Sequence, residues 1–205
     1  MQIHHFSFQD IPQFSSRDIA YTTADDRLRP FYKYEVSLDT FDQVFKDKSE
    51  ANINRELLVE VLKEQYKPFE ANELVYSQID KLKEEKTFTV VTAHQPSLFT
   101  WPLYFIYNIF SAFNLAEQFI ITYEDHHVVP IFVIVGEDHD FEEINHAHLF
   151  NKELVWENEE GGAVGQMKTE SLQSVLQDLK EILGHSENAT TLYEKIERSF
   201  TQFET

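Results

Sequence analysis

Cysteine is absent from all 205 residues. Disulfides, a zinc ribbon and a cysteine nucleophile are therefore excluded, and the absence fits a reducing, cytoplasmic setting. Glycine is scarce, at 5 residues, which argues against an all-β architecture built on many tight turns. Basic residues are also few. Seventeen Lys and Arg stand against 36 Asp and Glu, for a formal net charge of −19. That balance repels phosphate backbones and no Lys/Arg stripe offsets it, so nucleic acid is not an expected partner. The plainest use of the charge is solubility. No apolar run reaches membrane-spanning length: residues 102–116 come nearest and are interrupted by Asn108, Ser111 and Asn114. The N-terminus MQIHHFSFQDIPQF lacks the basic and apolar regions of a secretory signal. The glycine patterns GxGxxG and P-loop are missing, and so is the zinc-binding HExxH.

What remains is enough to build a core. Hydrophobic residues make up 42% and Phe alone contributes 18, so wholesale disorder is excluded. The length suits one domain with a helical appendage. Residues 1–86 are expected to be a mainly helical N-terminal region, with amphipathic helices over 51–67 and 72–85 separated by Pro68.

From residue 87 the pattern changes. TFTVVT, residues 87–92, reads as a buried β-branched strand. A loop, AHQPSLFT, leads to a segment over 102–118 that is apolar around most of its circumference. A helix of that kind is expected between layers, with Thr100 as N-cap and Pro102 in its first turn. Residues 119–122 fit helix or strand, and residues 128–135 form the next strand. Strand, helix and strand make a βαβ crossover with parallel strands. HAHLFNKELVWEN reads as a hairpin turning near Asn151 and Lys152, and GGAVGQM, residues 161–167, as a flexible connection. A helix over 170–183 stops at Gly184. A last one starts near Ala189, and TQFET follows with no stop signal. Two parallel strands do not bury both faces of a sheet, so further strands are expected, from a longer chain or a partner.

Chemistry is expected at the carboxyl ends of the two strands. After the first, His94 and Gln95 place a proton-transfer group and an amide, and a following helix start favours an anion. The plainer alternative is that His94 hydrogen-bonds loop carbonyls. After the second strand, Gly136 releases the chain into five carboxylates within seven positions: Glu137, Asp138, Asp140, Glu142 and Glu143. His139 lies between Asp138 and Asp140, which suits an acid/base role. Asn145 and His146 follow. Two other readings compete: a metal site of oxygen and nitrogen ligands, or a helix N-terminus whose acids, with Asp138 as N-cap, favour the dipole. Tyr104 and Tyr107 could present hydroxyls to the crevice, or be ordinary buried tyrosines. His126 and His127 precede the second strand at its other end and are expected on the surface.

Three blocks carry a family resemblance: TAHQPSLFTWPLYFIYNIFSAFNLAE, VPIFVIVGEDHDFEEINH and GAVGQM. In this order they resemble BshC, the cysteine-adding enzyme family of bacillithiol biosynthesis. The likeness is strongest over residues 87–167. It implies an α/β fold with an incomplete Rossmann-like parallel sheet over 87–205. It also implies a soluble, cytoplasmic ligase joining cysteine to glucosaminyl-malate through an amide. ATP is an expectation for such a ligase, and the full-length protein would be a homodimer paired through a C-terminal coiled coil. On this reading the chain is the front part of a longer protein, and the remainder would carry more of the sheet and a nucleotide pocket. The resemblance makes Asp138, His139, Asp140 and His94 the catalytic candidates. His139 would be the base or hold the substrate ammonium, and His94 with Gln95 would face an activated carboxyl or phosphate. Gln95, Tyr104, Tyr107, Asn145 and His146 would bind substrate. Two positions depart from the family pattern: Trp101 stands where glycine is common, narrowing the crevice, and Asn108 where lysine is common, removing an anion contact. A metal-dependent hydrolase using Asp138, His139 and Asp140 is the competing activity, and an inactive truncated fragment the non-catalytic alternative.

Overall fold

Strand β1, Thr87–His94, lies parallel to strand β2, His127–Ile134, with Thr87 opposite His127 and His94 opposite Ile134. A computed structural model describes residues 2–69 and 71–202 of the chain; the tail residues 203–205, part of the expected TQFET ending, lie outside the described residues. Side chains alternate across the sheet, and each face takes a helical layer. Val129 and Ile131 pack with Val59, Ile79 and Leu82, which come from helix α3, Arg55–Tyr66, from helix α4, Glu73–Lys81, and from the residue just after it. Phe132 faces the other way and meets the ring of Phe105 at 5.0 Å. Phe105 begins the buried stripe of the crossover helix α5, Tyr104–Thr122, which continues through Ala112, Ala116 and Phe119. Its small residues let the helix lie close on the strands.

Helix α5 differs from expectation at both ends. Thr100 does not cap it: its backbone is left-handed (φ 61°) and its hydroxyl bonds the Phe99 carbonyl. The helix starts two residues after Pro102, and residues 119–122 extend it rather than forming a strand. Nor is it enclosed between layers. Tyr107, Phe110 and Ile121 on its outer face are exposed, as are Val91 and Ile134 on the sheet. Among the described residues the parallel sheet has two strands.

The chain divides into two compact units, Met1–Asn54 and Arg55–Thr205. Helices α3 and α4 therefore share a unit with the sheet. The reason is physical: α3 and α4 cover one face of β2, and the Arg55 guanidinium donates to the carbonyls of Leu82 (2.8 Å), Thr87 (3.1 Å) and Glu85 (3.3 Å). A charged donor holding three carbonyls ties the start of α3 to the entry of β1.

Beyond β2, helix α6, Phe141–Ile144, leads into an antiparallel hairpin of β3, His146–Leu149, and β4, Lys152–Val155. Phe150 and Asn151 both have positive φ, 49° and 63°, the type I′ geometry that suits strand twist. Residues 161–167 are not a flexible connection. Val164–Gln166 form a 3-10 turn, and Val164 and Met167 are buried. Helices α7, Gln173–Leu183, and α8, Glu187–Thr201, complete a second core of Leu98, Ile144, Trp156, Met167, Leu172 and Leu179. Full burial of a leucine such as Leu172 or Leu179 contributes about 1.5–3 kcal/mol. This core includes Leu98 from the loop after β1 and Ile144 from α6, so it fixes both loops at the carboxyl end of the sheet. His126 and His127, expected on the surface, are half-buried: His126 stacks on Phe88 at 5.3 Å, and His127 bonds Gln78 at 2.8 Å.

In the N-terminal unit, helix α1, Ser16–Thr22, carries a reciprocal Ser15–Asp18 capping box, and helix α2, Phe41–Ser49, buries Phe45. Asp47 on α2 accepts from the Lys33 ammonium, from the Tyr34 hydroxyl at 2.7 Å and from the Gln43 amide at 2.6 Å. The Lys33 bond, then those of Tyr34 and Gln43, lower its pKa from the ordinary 3.8 to about 2. A depressed carboxyl stabilises fully above the unfolded value and loses that contribution as pH falls through the folded one. An NMR titration of the Asp47 carboxyl should therefore show a midpoint of about 2. In Asp47→Asn the matching acid-dependent loss of stability should disappear. A midpoint at the ordinary aspartate value would show that the network does not persist in solution.

Candidate active site

The β1–β2 ladder ends where the polar residues begin. Val135 N–H donates to the His94 carbonyl at 3.0 Å, and both chains then turn outward. His94 is buried, at 9% exposure, with its ring 5.1 Å from that of Tyr104 and 5.3 Å from that of Phe105. Its Nδ1 lies 2.8 Å from the Gln95 carbonyl. A carbonyl only accepts, so Nδ1 carries the proton, and in the neutral ring Nε2 keeps the lone pair. The plainer expectation for His94, a bond to a loop carbonyl, thus holds for one nitrogen, and that bond prepares the other as a base.

Gln95 crosses to the second loop. Its Nε2 donates to Glu143 Oε2 at 2.9 Å, joining residues 48 positions apart. Trp101 makes a second crossing, with its indole 5.4 Å from the ring of His148 on β3; His146 lies edge-on to His148 at 5.6 Å. The loop after β1 is thereby fastened at both ends to the segment after β2. Asn145 supports this segment through its backbone, its carbonyl accepting from Trp156 N–H at 2.7 Å, while its side-chain oxygen lies 3.3 Å from His146 Nδ1. An apolar cavity of about 270 Å³ lies beside the crevice, walled by Pro96, Ile144, Trp156, Gly165 and Leu172. The Ser97 hydroxyl nearby is buried without a partner among the described residues.

The acidic segment is arranged differently from its sequence order. The Asp138 carboxylate accepts from Asp140 N–H at 2.9 Å, and Asp140 is the N-cap of α6, accepting from Glu143 N–H at 3.3 Å. The two acids that flank His139 in sequence thus satisfy backbone donors of a turn, as short polar side chains do at helix starts. His139 is exposed, and its ring has no hydrogen bond among the described residues. The N-cap is Asp140 and not Asp138. Among the described residues no group of three or more His, Asp or Glu side chains is placed to hold a metal ion. Tyr104 stands beside His94 and Tyr107 lies one turn further along α5; they are 53% and 63% exposed, so neither is a buried tyrosine.

The segment after the hairpin braces this arrangement, and residue spacing alone did not suggest it. Gly165 N–H donates to the Gly136 carbonyl at 2.8 Å and Val164 N–H to the Asp138 carbonyl at 2.7 Å. The backbones at the two glycines meet so closely that a Cβ on Gly165 would sit 2.8 Å from the Gly136 oxygen. The available signal was the GAVGQM motif, whose second glycine is required by close approach rather than by flexibility.

A profile described as "Bacillithiol biosynthesis BshC, N-terminal Rossmann-like domain" matches residues 1–205. A protein of Flavobacterium psychrophilum named "Putative cysteine ligase BshC" is 39% identical over 199 residues, 96% of this chain and 38% of its own length. A protein of the same name from Cytophaga hutchinsonii is 37% identical over 180 residues, 88% of this chain and 34% of its own. A more distant one, from Bacillus cytotoxicus, is 33% identical over 129 residues. The chain thus spans just over a third of the length of the first two of these relatives. No helix among the described residues is long and apolar enough to cross a membrane.

Proposed function

This chain belongs to the bacillithiol biosynthesis BshC family, as its N-terminal Rossmann-like domain, and on that footing we propose that it contributes the reacting crevice of a ligase joining cysteine to glucosaminyl-malate. The observation that carries the reading is the fastening of the β1 loop to the segment after β2 through Gln95 and Glu143. It places a buried imidazole of fixed tautomer at the mouth of the parallel strands, where open α/β sheets bind their ligands. Forming the amide requires the sugar amine to lose a proton as its nitrogen attacks the cysteine carboxyl carbon. The Nε2 lone pair of His94 is the acceptor for that proton, and the group that ATP places on the carboxyl oxygen to activate it leaves with the C–O bonding pair. The rings of Tyr104 and Phe105, both tilted against the imidazole, pack beside it.

His94 replaces His139 as the preferred base. The acids beside His139 are spent on backbone N–H groups, so they do not orient its ring. Incubating the whole protein with glucosaminyl-malate, cysteine and ATP should yield bacillithiol by mass spectrometry. Absence of product with all three present would overturn the reading.

A further inference from the structure

We propose that the His94–Gln95 loop is a subsite for a primary ammonium group and discriminates against anions. The inference rests on the crevice being the substrate site, as proposed above, and reverses the expectation that this loop meets a carboxyl or phosphate. Three atoms decide it. The Gln95 amide nitrogen faces a carboxylate, Glu143 Oε2, at 2.9 Å. An ionised carboxylate accepts and cannot donate, so the amide cannot be turned around, and Gln95 Oε1 is the end left for a ligand. His94 Nδ1 is bound as a donor to the Gln95 carbonyl at 2.8 Å, so in the neutral ring Nε2 is an acceptor as well. Glu143 uses Oε2 for Gln95 and keeps Oε1. Each group has one polarity fixed by its neighbour, and the polarity left over is the same in all three. A primary ammonium has three N–H donors and no acceptor. A phosphate or carboxylate would meet a lone pair at each of these three atoms. The helix start that could offset this has amides already taken: Phe105 N–H donates to the Pro102 carbonyl at 2.9 Å and Ile106 N–H to the Leu103 carbonyl at 3.1 Å, and the second loop adds carboxylates rather than cations.

The clasp between Gln95 and Glu143 is thus a specificity device. With Glu143→Gln, the partner amide offers both a donor and an acceptor, Gln95 is free to turn over, and the loop can present an N–H to an anion. Glu142→Gln removes the same charge from an exposed neighbour without touching Gln95, and so controls for the general field of an acidic protein.

The test is an NMR titration of the chain with glucosamine and, separately, inorganic phosphate, following the His94 ring and the Gln95 side-chain amide. Glucosamine is expected to move these signals in wild type and in Glu142→Gln, and phosphate is not. In Glu143→Gln the preference for glucosamine over phosphate should shrink by roughly tenfold, the scale of one hydrogen bond to a charged group. Phosphate acting as strongly as glucosamine on wild type, neither probe acting, or a preference unchanged in Glu143→Gln would each overturn the proposal. So would a His94 ring protonated on Nε2 instead of Nδ1. No turnover is needed, so loss of the ligase reading and loss of this subsite are separate results.

Discussion

Replacing Gly165 by alanine should lower the thermal midpoint of the chain by roughly 6–12 °C, a destabilisation of about 3 kcal/mol for a domain of this size. The added Cβ would lie 2.8 Å from the Gly136 oxygen and 2.9 Å from its Cα. Both are backbone atoms, so no rotamer change relieves the clash; one of the two segments must move. That movement strains the hydrogen bonds from Gly165 N–H and Val164 N–H, at 2.8 and 2.7 Å, to the Gly136 and Asp138 carbonyls. Each is worth about 1 kcal/mol when kept and more when its loss leaves a buried group unpaired. Gly161, four residues earlier, is the control. A Cβ there meets nothing within 4 Å, so Gly161→Ala should stay within about 0.5 kcal/mol of wild type. Calorimetric scans of the three proteins decide the matter. Equal midpoints for Gly165→Ala and Gly161→Ala would mean that the 161–167 segment does not brace the crevice in solution.

The same contact shows what a sequence discloses and what it hides. The strands were legible because β-branched runs such as TFTVVT and the apolar stretch ending at Gly136 have few other uses. The crossover helix was legible from its length and apolar content. Its beginning was not, because Thr100 has the chemistry of an N-cap but a left-handed backbone, and its hydroxyl is taken by the Phe99 carbonyl. GAVGQM read as flexible because glycine signals freedom and close approach with the same letter; only the facing backbone of Gly136 separates the two. The site divided in the same way. Both loops were identified from their position after strands. The pairing of Gln95 with Glu143 was invisible, since no periodicity relates residues 48 apart. The acids beside His139 are its neighbours in sequence but not its side-chain partners. A turn sends Asp138 and Asp140 to backbone donors, and the imidazole between them is left to solvent.

That rearrangement makes two histidines answer differently to the same substitution. In the whole protein, His94→Ala should reduce kcat/KM for amide formation by roughly 100- to 10,000-fold, the range for loss of a positioned general base. At 1.36 kcal/mol per decade this is about 2.7–5.4 kcal/mol of transition-state stabilisation. His139→Ala should cost less than about tenfold, because its ring has no bound partner to hold it in place. His94 is also packed against aromatic rings, 5.1 Å from Tyr104 and 5.3 Å from Phe105, so alanine leaves a cavity and removes the donor on the Gln95 carbonyl. Two measurements separate chemistry from packing. The thermal midpoint of His94→Ala reports the packing loss directly. Added imidazole, which fits the vacated space and supplies a base, should restore part of the rate without restoring the midpoint to that of wild type. A base role requires that rescue; a purely structural role would leave the rate unmoved by imidazole. If instead His139→Ala abolishes turnover while His94→Ala retains it, the acidic turn and not the buried imidazole is the reacting side of the crevice.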